Sequence, residues 1–360
     1  MSNSTNHQDI VAFDNRDIAR YGEGERRMPM RGFEPQYTDI VDYIIRITHK
    51  IWEEKAVGYI YNTYQHNCVV HAGNNDVHGR EDVMASTLQF LAAIPDRKLY
   101  GDDVIWGGNE NDGFHTSHLN TSVGHNTGWS AYGPPTGRKV VWRAIANCVA
   151  HDNQIFEEWL LRDETSLIRQ LGYDVWMVAE QQVRAAGGNG WQEMTGEIGR
   201  TLGQYPPPPA PPPADGPFDV EDFVRRAYHE IWNWRLLNTI RAYYSASHVC
   251  YMSGGRKLQG QHELTTFLLG MLSMFPDAGV AIDHLYWNGD ETQGYRVAVR
   301  WTFTGTHTGI GIYGAPSGTR VRIMGLSQHH ISNGVFAKEH TLFDEMGLIK
   351  QITAKRLGVS

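Results

Sequence analysis

The chain has 360 residues, 41% of them hydrophobic and 20% charged, a globular balance that excludes a disordered polymer. Lys and Arg number 32 against 40 Asp and Glu, a net charge of −8. With no polybasic run, that argues against nucleic acid or an anionic membrane surface as partner. No apolar stretch nears the roughly 18 residues a spanning helix needs, and no secretory leader pattern opens the chain. The three cysteines (Cys68, Cys148 and Cys250) are far apart, which excludes a disulfide framework and a thiolate metal site and leads us to expect a cytoplasmic protein.

In chain order, residues 1–37 are polar and read as an arm. Asp39 is placed to cap an amphipathic helix, IVDYIIRITHKIW. A second helix (53–64) leads to a short strand, NCVVHAG. A third helix runs from Glu81 to a Pro-Asp stop at 95. Alternating strands follow, with HDNQ as a hairpin turn and a last strand ending in LIRQLG. Residues 173–218 then hold a helix, YDVWMVAEQQVRAAGG, and a tract, PPPPAPPPADGP, that predicts a stiff polyproline spacer.

From Asp219 the same order returns. Trp52 matches Trp232, 180 positions on; from Gly79 and Gly260 onward the offset is 181 and holds without a gap. Pro95-Asp96 falls on Pro276-Asp277, YGPPTG on YGAPSG, Asp163 on Asp344, and Leu167-Ile168 on Leu348-Ile349. A period this long makes each copy a whole domain. The expected fold is α+β: two tandem cone-shaped domains, 38–172 and 219–360, each three helices packed on a curved antiparallel sheet, enclosing a cavity.

The run Gly-Thr-His-Thr-Gly (305–309), YGAPSG, the Asn-Gly hairpin and a final segment with Glu339, Asp344 and LIKQ resemble the SnoaL-like polyketide cyclases of the nuclear transport factor 2-like superfamily. The first copy carries the resemblance through TSVGHNTG, YGPPTG, DNQIFEEW, Asp163 and LIRQLG. The resemblance implies cofactor-free acid–base chemistry by an Asp with a His on the neighbouring strand. Asp344 and His330 match in the second copy. In the first, Asp163 matches but Val149 stands in the His position, leaving His118 or His71 as substitutes.

Strand parity places Trp159 with Asp163, and His340 with Asp344, on one face, while His329 points to the other. A carboxylate beside aromatic surface has a raised pKa, as a general acid or base needs; the alternative is that each Asp caps the turn before a terminal helix. Phe114, Thr116, His118, Asn120 and Ser122 replace Tyr295, Val297, Val299, Trp301 and Phe303, so one strand face is polar in the first copy and apolar in the second. That suggests a polar ligand site with His118 and Asn120 as contacts. The expected catalytic residues are therefore Asp163, His118, Asp344 and His330. The expected substrate contacts are His71, Asn120, Asn147, Trp159, Tyr251 and His340, with no metal and no cofactor. Such an enzyme would bind a small oxygenated, partly apolar metabolite and cyclise, isomerise, dehydrate or hydrolyse it. The alternative is a non-catalytic binding protein of the same fold. The two copies would form an intramolecular pseudo-dimer, with a homodimer also open.

Overall fold

The computed structural model describes residues 24–73, 75–187, 207–212 and 216–359. The chain divides at Asp174/Val175 into two compact units, each holding one sequence repeat.

In the first unit, α1 (Ile40–Trp52) starts where Asp39 accepts a hydrogen bond from the Asp42 amide. A short helix α2 (Ile60–Thr63), strand β1 (Tyr64–His71), strand β2 (Asp76–His78) and helix α3 (Arg80–Ala93) follow. Strands β3 (Lys98–Asn109), β4 (Gly113–His125), β5 (Lys139–His151) and β6 (Gln154–Arg162) lead to helix α4 (Glu164–Leu171). The sheet order is β2-β1-β6-β5-β4-β3. The expected antiparallel sheet is in fact mixed, because β1 runs parallel to β6. The second unit repeats the plan after helix α5 (Val175–Ala185): α6 (Val220–Tyr228), α7 (Ile240–Tyr243), β7 (Tyr244–Met252), β8 (Arg256–Gln259), α8 (Gly260–Met274), β9 (Gly279–Asp290), β10 (Gly294–Thr306), β11 (Arg320–Ser332), β12 (Val335–Phe343) and α9 (Glu345–Leu357). Its sheet order, β8-β7-β12-β11-β10-β9, is the same. These are two tandem α+β cone-like domains, and the 181-residue register holds in space: Phe114 pairs Ala150 as Tyr295 pairs Ile331.

Three local expectations are corrected. The helix expected over 53–64 shrinks to a few residues at its end, because Lys55 takes a left-handed φ of 59° and Gly58 follows, which breaks the helix before Ile60. The last strands stop at Arg162 and Phe343, and LIRQLG and LIKQIT are helical, with Leu167, Ile168 and Leu171 buried on one face of α4. The end of the segment read as an arm packs instead: Met30, Phe33 and Tyr37 are buried against α1, Val104 and Phe114. Residues 207–212 form neither helix nor strand, and the Pro208 carbonyl accepts from the Trp234 indole at 3.1 Å.

The helices cover one sheet face, here the inner face. In the first unit α1 packs on Val104, Trp106, Phe114, Cys148 and Ala150. Alternation then puts Thr116, His118, Asn120 and Ser122 on that face too. In the second unit the same face carries Val297, Val299, Trp301 and Phe303. Gly128 and Gly309 let the loop after β4 or β10 run against the preceding helix, since a Cβ would stand 2.0 Å from the Ala92 oxygen or 1.9 Å from that of Ser273. The shared Thr-Gly of the two repeats is thus a close-approach requirement.

Candidate functional site

The inner face of the second unit lines a recess of about 580 Å³ that is partly open to solvent. Its walls are mostly apolar, among them Trp232, Leu268, Met271, Trp301, Phe303 and Phe343, with Tyr228, Ser327, Glu339 and Thr341 as polar groups.

Those polar groups form one network. The Trp301 indole can only donate, and it reaches Ser327 Oγ at 3.0 Å. Ser327 Oγ lies 2.7 Å from Thr341 Oγ1, and Thr341 donates to Glu339 Oε1 in a short hydrogen bond. Every donor therefore points toward the Glu339 carboxylate. Its other oxygen lies 3.4 Å from His329 Nδ1 and 3.7 Å from His248 Nε2. His329 Nε2 in turn meets the Tyr228 hydroxyl at 2.9 Å. Burial opposes ionisation of Glu339, but His329, His248 and the Thr341 hydroxyl outweigh it and hold the carboxyl down at about 2. Burial pushes the Tyr228 phenol well above its ordinary value, so it stays a donor.

The first unit answers these positions differently. Glu158 corresponds to Glu339, while Cys68 and Cys148 stand where His248 and His329 do. Glu158 accepts from the Tyr64 hydroxyl at 2.8 Å, and burial without imidazole neighbours raises its pKa. His118 is buried with Nε2 unpartnered, and burial, partly offset by Asp103, pushes it down to about 4. Asn120 Oδ1 is also buried and unpartnered.

The expected site residues divide between the two faces. His118 and Asn120 lie on the inner face. Asn147 pairs with Ser117 and Trp159, and His71 with Trp159, so these three share the opposite face. There His71 stacks on Trp159 at 5.3 Å and contacts Asp76 and Glu157, each at 2.9 Å. Tyr251 and His340 are their counterparts in the second unit, stacked at 4.9 Å. The expected grouping of Asn147 and Trp159 with His118 is therefore corrected: the antiparallel partner of His118 is Ala146. His330 and Asp344 are likewise not cross-strand neighbours. His330 pairs with Lys338, whereas the Asp344 amide donates to the Met324 carbonyl at the far end of the ladder. His330 is half-buried, and it is His329 that is buried on the inner face, the reverse of the expected parity. Asp163 and Asp344 sit just past their strands and cap α4 and α9, accepting from Ser166 and Gly347 amides at 3.4 and 2.8 Å.

Sequence reasoning passed over Glu339, His329, His248 and Tyr228 as site residues. The signal for Glu339 was present, since a glutamate recurs at 158 and 339 amid apolar strand residues. Among the described residues no group of three or more His, Cys, Asp or Glu side chains is arranged to hold a metal ion. No helix among them is long and apolar enough to cross a membrane.

The family model for SnoaL-like polyketide cyclases matches the chain twice, over residues 43–171 and 222–352. No curated protein gives a significant match. Among solved structures the chain is similar to a candidate SnoaL-like polyketide cyclase from Jannaschia sp. CCS1, at 18% identity over 39% of this chain and 98% of that one, TM-score 0.35. It is similar also to a candidate polyketide cyclase from Acidithiobacillus ferrooxidans, at 17% identity over 38% of this chain and 97% of that one, TM-score 0.33. A third is IdmH, a candidate polyketide cyclase from Streptomyces antibioticus, at 20% identity over 37% and 96%, TM-score 0.33.

Proposed function

The chain belongs to the SnoaL-like polyketide cyclases, and from that premise we propose that its second unit is a cofactor-independent acid–base catalyst acting on a small oxygenated, partly apolar metabolite. The observation that carries the reading is the buried Glu339 carboxylate, which lies against His329 while His329 reaches the recess through Tyr228. Tyr228 donates to His329 Nε2, which puts the imidazole proton on Nδ1, 3.4 Å from Glu339 Oε2 and short of a formed hydrogen bond. A substrate C–H proton passes to the Tyr228 oxygen as the Tyr228 proton passes to Nε2. Glu339 stabilises the imidazolium that forms, an arrangement in which a carboxylate fixes the tautomer and supports the base. The substrate enolate carbon then bonds to a carbonyl carbon of the same molecule. The carbonyl π pair moves to oxygen, which takes the proton back from the relay. The net change is an isomerisation, so atoms and electrons balance without a co-reactant. The mostly apolar walls lower the local dielectric, which strengthens the electrostatic interactions within.

A panel of β-polyketo esters in deuterium oxide, followed by NMR, tests the proposal through α-proton exchange and cyclised product. Glu339→Gln and His329→Gln should each slow exchange by roughly 10²–10⁴-fold, with ester binding retained. Exchange at the wild-type rate in both variants would refute it.

A further inference from the structure

The first unit differs most from the second where it counts for a ligand. Trp301, Phe303, Ile323 and Phe343 line the recess of the second unit. Their counterparts by register are Asn120, Ser122, Trp142 and Arg162, and Arg97 replaces Ala278. At these positions the second interior is apolar, whereas the first carries two arginines, Asn120 and Ser122.

Arg97 exposes 4% of its surface. Its guanidinium lies 4.0 Å over the Trp52 ring, with Trp142 at 5.3 Å and Phe90 at 5.4 Å. Nε and Nη2 both donate to Ser122 Oγ, at 3.1 and 3.0 Å, while Nη1 is buried without a partner. Arg162, half-buried, lies 5.1 Å over the Phe90 ring. Among the described residues no carboxylate lies within ion-pair distance of either arginine, although Glu53 acts on Arg97 and Glu158 on Arg162 from farther off. Glu53 is held by Lys98 and the Leu99 amide, and Glu158 by Tyr64. An arginine does not shed its proton to escape burial. The aromatic rings attract the cation but give Nη1 no acceptor. Asn120 Oδ1, His118 Nε2 and Trp142 Nε1 on the same face are also buried and unpartnered. Each such atom left unmatched costs about 1–3 kcal/mol. A ligand group or an ordered water reaching these four atoms would recover that cost.

We propose that the interior of the first unit binds a small aromatic or otherwise apolar carboxylate. The carboxylate would meet Arg97 Nη1 and Arg162. The carbon skeleton would lie against Trp52, Phe90 and Trp142, and a hydroxyl or keto group would meet His118 and Asn120. A phosphate fits less well, because a dianion needs more donors than two arginines with one edge already spent on Ser122.

Benzoate titrated into the full chain, followed by calorimetry and tryptophan fluorescence, tests this. Saturable binding is expected. Arg97→Met should weaken it roughly tenfold or more, the worth of a charge-assisted hydrogen bond. Arg162→Met, at a half-exposed strand end, should weaken it several-fold and serves if the Arg97 variant fails to fold. Glu339→Gln should leave benzoate affinity unchanged, so this site and the catalytic reading fail separately. Absence of benzoate saturation, unchanged affinity in the arginine variants, or equal binding of inorganic phosphate or benzylamine would overturn the proposal.

Discussion

Glu158 and Glu339 occupy one position in two copies of a fold, yet their ionisation is pulled in opposite directions. The neighbours decide: Cys68 and Cys148 in one unit, His248 and His329 in the other. Glu339 has a folded pKa of about 2 against an ordinary 4.5, so between those values the unfolded chain takes the proton first. Its contribution to stability is complete above pH 4.5 and is lost as pH falls toward 2. Glu158, with a raised pKa, does the reverse; its contribution is present at low pH and lost as pH rises through its folded value. At neutral pH Glu339→Gln should therefore lower stability, by roughly 3 kcal/mol if it acts as the breaking of a buried pair. Glu158→Gln, which keeps an acceptor for Tyr64, should hold or raise it. Denaturant unfolding from pH 2 to 8 reads both, and the acid limb should flatten only in the Glu339 variant. The parity of these strands was legible in the sequence, but which parity faces the helices was not. Both faces of β11 are buried, Ser327 and His329 as fully as Gln328, so the usual polar-out signal vanishes.

At the scale of elements, caps and close approaches were the most legible features, because each rests on a few adjacent residues. Asp39 and Asp219 begin their helices as the sequence predicts. Asp163 and Asp344 also begin helices, and each caps from a buried position. The strand-to-helix switch was missed there because apolar LIRQ and LIKQ suit either element until the cap is recognised. Capping predicts a specific pattern. Asp344→Asn retains the acceptor for the Gly347 amide and should leave stability and proton exchange nearly unchanged. Asp344→Ala should cost about 1 kcal/mol of stability. A large loss of exchange in the Asn variant, with stability intact, would instead assign Asp344 a chemical role. The recess was legible only as a cone-shaped fold. Its relay needs Tyr228 on α6 to meet His329 on β11, a contact between residues 101 positions apart that no local pattern encodes.

At the scale of the molecule, duplication has left two interiors with the same backbone register and different chemistry. No residue of the Glu339 network belongs to the first unit, and none of the Arg97 surroundings belongs to the second. Mutations without shared partners add to within about 0.3–0.5 kcal/mol. The double variant Arg97→Met/Glu339→Gln should accordingly change unfolding free energy by the sum of the single changes. Its proton-exchange rate should equal that of Glu339→Gln alone, because Arg97 belongs to a different ligand. Denaturant titrations and exchange measurements on the wild type, both single variants and the double variant form the cycle. A coupling well beyond that margin would mean that the two interiors respond to each other, and the first could then be an effector site for the second. Additivity would leave two independent sites, one for catalysis and one for a carboxylate, in a single chain.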